Sequence, residues 1–227
     1  MKYRFKSKES VYRYERKFLI QGLSTKEIES LVNVNPEMFQ FSYYKRIVNN
    51  IYFDDFNLSN YHDNINGNSE RIKIRVRWYG STFNSLKNPK LEVKIKNGLL
   101  GSKEVVAIEN FNLNEDLSNV LGPLRDTYLY KKYNLGSVSP VLLNSYSRSY
   151  YISNNKRFRI TIDDAQSYYK IGKRNNFFAN KIVDTNSKIL EIKYNDKVDD
   201  YLNVITNNFP FRMSKNSKYV NGIEMFY

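Results

Sequence analysis

The chain contains no cysteine and only 1 histidine in 227 residues. The absence of cysteine excludes disulfide frameworks and thiolate metal sites, and it leaves the redox compartment open. The sequence also has no apolar run as long as a membrane-spanning helix. Its first residues, Met1 to Tyr14, are basic and aromatic and lack the apolar core of a secretory signal. From these absences we expect a soluble, cytoplasmic protein.

Basic residues are what the chain has in excess. Lysine and arginine total 36 against 23 aspartate and glutamate residues, which gives a formal net charge of +13. Such a surplus points to an anionic partner, namely nucleic acid, phosphate chains, nucleotides or an acidic membrane surface, and composition alone does not choose among them. The hydrophobic share of 41% and the charged share of 26% are ordinary for a globular protein. The length favours one domain over residues 1–227.

Residues 70–80 alternate between two kinds of side chain. At the strand period of two, one face carries Arg71, Lys73, Arg75 and Arg77, and the other carries Ile72, Ile74, Val76 and Trp78. Neighbouring like charges repel each other. If the basic face pointed into an enclosed space it would need anions, because a desolvated charge without a partner is costly. Taken alone, this stretch is explained more simply as a solvated basic face.

The same alternation recurs along the chain. This recurrence favours a basic face that points into an enclosed space over one that is solvated. The further stretches are Tyr12–Ile20, Lys90–Lys96, Pro140–Tyr151, Arg157–Asp163 and Ile189–Tyr194. Several strands with one apolar face and one face of Arg and Lys with an occasional Glu predict a closed antiparallel barrel, with a charged lumen and helices packed outside. Such a lumen would bind a polyanion, and its glutamates are hard oxygen ligands suited to Mg²⁺ or Mn²⁺.

Helices are predicted at fewer places. Ser24-Thr25-Lys26-Glu27 is a capping-box pattern, which predicts a helix through about Asn33. Leu58–Ile65 and Leu124–Tyr133 are also predicted to be helical, and Lys197–Asn207 has apolar residues at helical spacing. Ile47–Phe53 is predicted as a further strand.

Seven short motifs, taken in order, resemble the triphosphate tunnel metalloenzyme superfamily, and within it the polyphosphate polymerase domain known as VTC (vacuolar transporter chaperone). The motifs are Glu15-Arg16-Lys17, Arg75-Val76-Arg77-Trp78-Tyr79-Gly80, Glu92-Val93-Lys94, Tyr146-Ser147-Arg148, Arg159-Ile160-Thr161-Ile162-Asp163, Glu191-Ile192-Lys193 and Lys215-Asn216-Ser217-Lys218. No single motif is specific. Their common order over residues 12–225 is what carries the resemblance.

The resemblance implies an α+β fold, in which an eight-stranded antiparallel barrel binds triphosphate and polyphosphate in its lumen. It implies a polymerase that moves the γ-phosphate of ATP onto inorganic polyphosphate, with Mn²⁺ or Mg²⁺ as cofactor. The implied catalytic residues are Arg75, Arg77, Lys94, Arg148 and Arg159. The implied phosphate-binding residues are Lys17, Lys103, Tyr146, Lys193, Lys215, Ser217 and Lys218. Glu191 is the implied metal ligand, and Glu15 and Glu92 are further candidates.

One position departs from a related branch of the superfamily. The CYTH branch carries an E-x-E-x-K signature on its first strand, and here the first of those positions is Arg13. The lost glutamate weakens the case for two-metal hydrolysis and favours the VTC branch. We also expect neither the SPX sensor domain nor the membrane segments found in eukaryotic VTC subunits, and hence no membrane insertion.

Two other functions remain open from the sequence. One is a hydrolase of the same fold that cleaves inorganic triphosphate or polyphosphate. The other is a non-enzymatic binder of nucleic acid or other polyanions. Glutamates interleaved among the cations would repel a nucleic-acid backbone, so no nucleic-acid partner is expected. His62 lies far from every motif, and Trp78 and most tyrosines are predicted to pack in the core.

Overall fold

The computed structural model consists of antiparallel strands with a few short helices, and it describes residues 13–83, 85–98, 100–113, 122–172, 178, 180–195 and 205–227. The strands are β1 (Arg13–Ile20), β2 (Gln40–Asp54), β3 (Glu70–Tyr79), β4 (Ser85–Leu86), β5 (Lys90–Asn97), β6 (Leu100–Ala107), β7 (Phe111–Asn112), β8 (Ser139–Ile152), β9 (Arg159–Lys170), β10 (Lys181–Asp184) and β11 (Lys188–Asn195). The helices are α1 (Thr25–Asn33), α2 (Ser59–Ile65), α3 (Tyr128–Lys132) and α4 (Lys218–Glu224).

One large sheet organises the described part of the chain. Its strands lie in the order β1-β11-β9-β8-β2-β3-β5-β6, and β10 is added beside β9. Every pairing in it is antiparallel. Among the described residues no hydrogen-bonded pairing joins β1 to β6, so the ladder is open there. The α+β antiparallel fold is therefore confirmed, and the closed eight-stranded barrel stays a prediction.

The sheet curls until side chains from distant strands meet. Lys94 on β5 lies 3.4 Å from Glu15 on β1, although the two strands stand near opposite ends of the strand order. The face that carries these charged residues is therefore the concave face. The free edge of β1 is covered by a later segment, because the backbone N–H of Ser214 donates to the carbonyl of Lys17 at 2.8 Å. Covering an edge strand in this way protects it from pairing with other chains.

Apolar side chains pack on the convex face. Ile74, Val76 and Trp78 of β3 are buried there, which confirms the apolar face that the alternation predicts. On another part of this face, α1 packs Ile28 and Val32 against β1, β9 and β11. The capping box that predicts α1 is present, with Ser24 and Glu27 each accepting a bond from the other's backbone N–H.

The last helix packs on the concave face instead. Tyr219 and Ile223 of α4 belong to one buried cluster with Tyr52, Leu142 and Tyr168, which come from β2, β8 and β9. Tyr52 is on the concave face because its hydroxyl accepts a hydrogen bond from Arg75 at 3.5 Å. The helix therefore covers one end of this face and leaves the charged middle uncovered.

Several elements differ from the sequence prediction. β2 begins at Gln40, well before the predicted Ile47, and its added part is exposed, so burial periodicity could not mark it. The prediction of one continuous helix over Leu124–Tyr133 is wrong. The helix is interrupted, and α3 begins only after the cap at Thr127. Most of the helix predicted over Lys197–Asn207 lies outside the described residues. Within the part of the chain that the structure describes, no helix is long and apolar enough to span a membrane.

We predict that Gly222→Ala destabilises the protein through a clash. A Cβ at Gly222 would lie 2.4 Å from Leu142 Cδ2 and 2.8 Å from Tyr168 Cδ1. Overpacking of a buried contact costs roughly 1–3 kcal/mol. Urea unfolding should show that loss for Gly222→Ala and almost none for Gly122→Ala, where a Cβ would meet nothing within 4 Å. Equal midpoints for the two variants would show that α4 does not pack tightly on the concave face.

Candidate active site

The four cations of β3 lie half-buried on the concave face. Strand pairing gives each of them a charged or polar neighbour on this face. In the register, Arg75 stands opposite Glu92 of β5 and Tyr52 of β2, and Lys73 stands opposite Lys94 of β5. The row is therefore part of a wider charged surface, and its partners come from other strands.

Glu92 is the carboxylate that organises this part of the surface. Its Oε2 accepts hydrogen bonds from Nε and Nη2 of Arg75 at 2.8 and 2.6 Å, and its Oε1 accepts one from Lys103 Nζ at 3.1 Å. Arg77 Nη1 lies 3.9 Å from Oε2. Burial raises the pKa of Glu92, but Arg75, Arg77 and Lys103 together lower it to about 2. Glu92 therefore stays ionised and holds Arg75 in place.

Tyr146 lies at the middle of the concave face and is buried. Its hydroxyl accepts a hydrogen bond from Arg77 Nη2 at 3.4 Å, while Arg77 Nε donates to Asn50 Oδ1 at 2.8 Å. The ammonium of Lys218 lies 4.5 Å from the ring centroid, and the guanidinium of Arg148 lies 5.2 Å from it. Cations from β3, β8 and α4 thus converge on one aromatic ring.

Asp163 on β9 is fully buried and binds two of these cations. Nε and Nη2 of Arg148 donate to its two oxygens at 2.5 and 2.7 Å, and Lys218 Nζ donates at 2.5 Å. Burial raises the pKa of Asp163, but Arg148 and Lys218 lower it further than burial raises it. The carboxylate is therefore ionised, and it fixes both cations in position.

Strands β1 and β11 contribute a ladder of alternating charge. Lys17 pairs with Glu191 and Glu15 pairs with Lys193 in the register. Lys17 Nζ lies 2.8 Å from Glu15, and Lys193 Nζ lies 2.7 Å from Glu191. Burial raises the pKa of Glu191, yet Lys193, Lys17 and nearby Arg148 hold it well below its usual range. Lys17 also donates to the carbonyl of Asn216 at 3.1 Å. Both carboxylates are available in ionised form.

Lys73 is the cation that the concave face stabilises least. Its Nζ donates to Ser217 Oγ at 2.9 Å, just before α4 begins. Burial, followed by the charges of Lys17, Lys94 and Arg71, lowers the pKa of Lys73 to about 7. An anion bound nearby would reverse that effect, because it would offset the repulsion among the cations.

The structure brings most of the predicted site residues together. Those on or beside the concave face are Lys17, Arg75, Arg77, Lys94, Lys103, Tyr146, Arg148, Lys193, Ser217 and Lys218, with Glu15, Glu92 and Glu191. Arg159 and Lys215 are exposed and stand at its margin. Arg159 pairs with Lys193 on β11 and with Ile152 at the end of β8.

Sequence reasoning did not assign a role to three residues of this surface. Asp163 and Thr161 alternate with Arg159 in one motif, so the signal was present, but an acidic side chain was not expected to hold the cations in place. Lys73 shared the face of Arg75, although its position could not be decided without the register. Each of these residues depends on cross-strand pairing, which a single sequence does not reveal.

Glu15 and Glu191 are the carboxylates that would hold a divalent cation on this face. Burial and the charge of Glu191 raise the pKa of Glu15, but Lys17, Lys94 and Lys193 lower it overall, so its carboxylate is ionised. Thr161 stands opposite Glu191, and its buried Oγ1 has no hydrogen-bond partner among the described residues. In the same described residues, no group of three or more His, Cys, Asp and Glu could hold a metal. An ion here would therefore complete its shell with phosphate and water oxygens, as Mg²⁺ usually does.

Comparison with known proteins supports the resemblance read from the motifs. The sequence profile of the VTC domain matches residues 12–227. Among curated proteins none matches the chain. Solved structures share the fold over nearly the whole chain at low identity.

A candidate adenylate cyclase from Vibrio parahaemolyticus is 8% identical, with a TM-score of 0.52 over 93% of this chain and 97% of its own. A candidate adenylate cyclase from Bacillus halodurans is 14% identical, with a TM-score of 0.51 over 94% and 96%. A protein from Pyrococcus horikoshii is 15% identical, with a TM-score of 0.51 over 93% and 99%. Identities this low establish a shared fold and carry no activity with them.

We predict that Glu92 makes stability depend on pH in the acid range. The pKa of its carboxyl falls from 4.5 to about 2 on folding, so its contribution is complete above pH 4.5 and is lost as the pH falls towards 2. A shift of this size corresponds to about 3 kcal/mol. Urea unfolding between pH 6 and pH 3 should give a shallower pH slope for Glu92→Gln than for wild type. Identical slopes would contradict the ion pairs described for Glu92.

We also predict that binding of a polyanion takes up a proton through Lys73. Above pH 7 this amine is partly neutral in the free protein, and a bound anion restores its charge. Affinity for tripolyphosphate should therefore fall between pH 7 and pH 9, by at most about tenfold per pH unit for one proton. Calorimetry on Lys73→Arg, which keeps the charge, should show a weaker pH dependence of that affinity. Because tripolyphosphate itself titrates equally in both experiments, its contribution drops out of the comparison. The same dependence in both proteins would exclude Lys73.

Proposed function

The chain belongs to the VTC domain family, and on that premise we propose that it is a metal-dependent phosphotransferase that moves the γ-phosphate of ATP onto a growing chain of inorganic polyphosphate and releases ADP. The observation that carries this proposal is the convergence of Arg77, Arg148 and Lys218 around Tyr146, with Arg75 fixed beside them by Glu92. This arrangement suits a ligand with several adjacent negative charges.

The proposed reaction needs little from the protein besides position and charge. A terminal oxygen of the acceptor chain forms a bond to the γ-phosphorus of ATP. The bond from that phosphorus to the β,γ-bridging oxygen breaks, and this oxygen leaves with its electron pair on ADP. The nucleophile is already anionic, so no general base is needed. The chain's single histidine, His62, lies on α2 and its side chain is exposed.

The preorganised cations would act on the transferred phosphoryl group. Arg75 and Arg148 are held in place by buried carboxylates before any ligand arrives, so they need not reorganise during the reaction. Lys17 and Lys218 would bind the flanking phosphates. Glu191 and Glu15 would hold Mg²⁺ or Mn²⁺, which would supply further neutralisation of the phosphate oxygens. We place this reaction in the cytoplasm, where ATP is available.

A second candidate function is hydrolysis of inorganic triphosphate. The observation in its favour is the position of α4, which covers one end of the concave face and shortens the space for a long chain. Water would then replace the acceptor phosphate as nucleophile. Binding of polyanions without turnover is the remaining alternative.

We predict that Arg75→Ala abolishes product formation. Removing one preorganised charge from such a site typically lowers kcat by about 10²–10³-fold. The assay incubates protein with ATP and Mn²⁺ or Mg²⁺, separates the products on a gel stained for polyphosphate and measures ADP. Wild type should give a ladder of chains with ADP, and the variant should give neither.

The control is Arg125→Ala, because Arg125 is exposed and lies away from the concave face. It should retain full activity. Urea unfolding checks that Arg75→Ala remains folded. If wild type releases free phosphate but makes no chains, the result would support the hydrolase and contradict the polymerase. If wild type shows no turnover with either metal, both proposed activities would be refuted.

A further inference from the structure

The cation rows of the concave face end in aromatic residues. On β3 the next residue on the face after Arg75 and Arg77 is Tyr79, and on β8 the next after Tyr146 and Arg148 is Tyr150. Both tyrosines lie at the end of the face opposite to α4, since that helix packs on Leu142 of β8. Along both strands, arginines are therefore followed by tyrosines as the distance from α4 increases.

Between these two tyrosines, β2 adds Arg46 and Tyr43. The register slips between Tyr43 and Arg46, which stand opposite Tyr150 and Arg148 of β8. This bulge turns residues that are three apart in sequence towards the same side, as bulges at sheet ends commonly do. Without it, the period of two would put Tyr43 and Arg46 on opposite faces.

The four side chains form one cluster, which we call the aromatic rim (Tyr43, Arg46, Tyr79 and Tyr150). The guanidinium carbon of Arg46 lies 4.3 Å from the ring centroid of Tyr43, 4.1 Å from that of Tyr79 and 4.8 Å from that of Tyr150. Arg46 Nη2 also donates to the hydroxyl of Tyr150 at 2.9 Å. Despite these contacts, Tyr43 and Tyr79 remain 44% and 38% exposed. Large aromatic rings are thus fixed by a cation and still presented to solvent.

We propose that the aromatic rim is a nucleobase subsite, in which the base of a nucleoside triphosphate stacks on Tyr79 while the phosphates extend to Arg77 and Arg148. This inference rests on the proposed function, since it assigns the orientation of ATP in the same site. Tyr79 is the platform because its ring packs on Arg46, whereas the ring of Tyr43 packs on Arg46 and also stacks with the ring of Tyr44. The guanidinium behind Tyr79 holds the ring rigid for stacking.

The chemistry of the rim matches a base better than a phosphate. Its single cation, Arg46, already contacts three rings, so it offers less charge to an anion than the middle of the face does. Stacking of a base on an aromatic side chain tolerates every base, because all bases present a π face. The subsite should therefore bind GTP about as well as ATP, and it should contribute nothing to the affinity for inorganic tripolyphosphate.

The test compares a ligand that has a base with one that lacks it. Calorimetry in EDTA, which prevents metal-dependent turnover, measures the Kd of ATP and of tripolyphosphate for wild type, Tyr79→Leu and Tyr79→Phe. Leucine keeps apolar bulk but removes the π face, so the Kd of ATP should rise about tenfold while that of tripolyphosphate stays unchanged. Phenylalanine keeps the face and should bind both ligands as wild type does.

Tripolyphosphate binding also serves as the check that Tyr79→Leu remains folded. The matched control is Tyr128→Leu, which changes a tyrosine that is 56% exposed on α3. Equal weakening of both ligands by Tyr79→Leu, or no change in either, would overturn the subsite. Wild-type binding of both ligands without turnover in the gel assay would refute the proposed function alone, because the binding comparison still decides the subsite. Wild type that binds neither ligand would refute both.

Discussion

Repulsion among the half-buried cations of the concave face is the constraint on which the rest of the structure depends. Arg75, Arg77 and Arg148 share one face of the sheet, and Lys218 approaches that face from α4. Their mutual repulsion has to be offset without an anionic ligand. Buried carboxylates on neighbouring strands provide most of that offset. Where no carboxylate is adjacent, as at Lys73, the amine loses part of its charge instead. The concave face therefore retains an excess of positive charge, which a bound anion would offset.

The two ends of the concave face differ, and this difference orients the site. At one end α4 replaces charge with apolar packing, because Tyr219 and Ile223 lie against the sheet where the cation rows begin. At the other end the aromatic rim holds Arg46 among tyrosine rings that stay open to solvent. A ligand with one aromatic end and one polyanionic end fits this gradient in only one direction. Inorganic polyphosphate, which is the same throughout, would have no such preference.

The charged faces could be predicted from the sequence because they depend only on the period of a strand. Arg75 and Trp78 lie on the opposite faces that alternation assigns to them. The pairing of Arg75 with Glu92 could not be predicted, since it depends on the register between β3 and β5. The helix α4 was missed for a different reason. It contains Gly222, which lowers helix propensity, and it is stabilised by packing against distant strands.

Coverage of one end bears on what the site can make. In the proposed polymerase, a polyphosphate chain longer than the concave face could not leave at the end that α4 covers, so it would need another exit. In the described part of the sheet β1 and β6 are not paired, and the side chains of Lys94 and Lys103 there are 45% and 46% exposed. Each still contacts an interior carboxylate, Glu15 or Glu92, so it can exchange that carboxylate for a phosphate of the product. A polymerase would therefore release long products along this seam, whereas triphosphate hydrolysis would not need it.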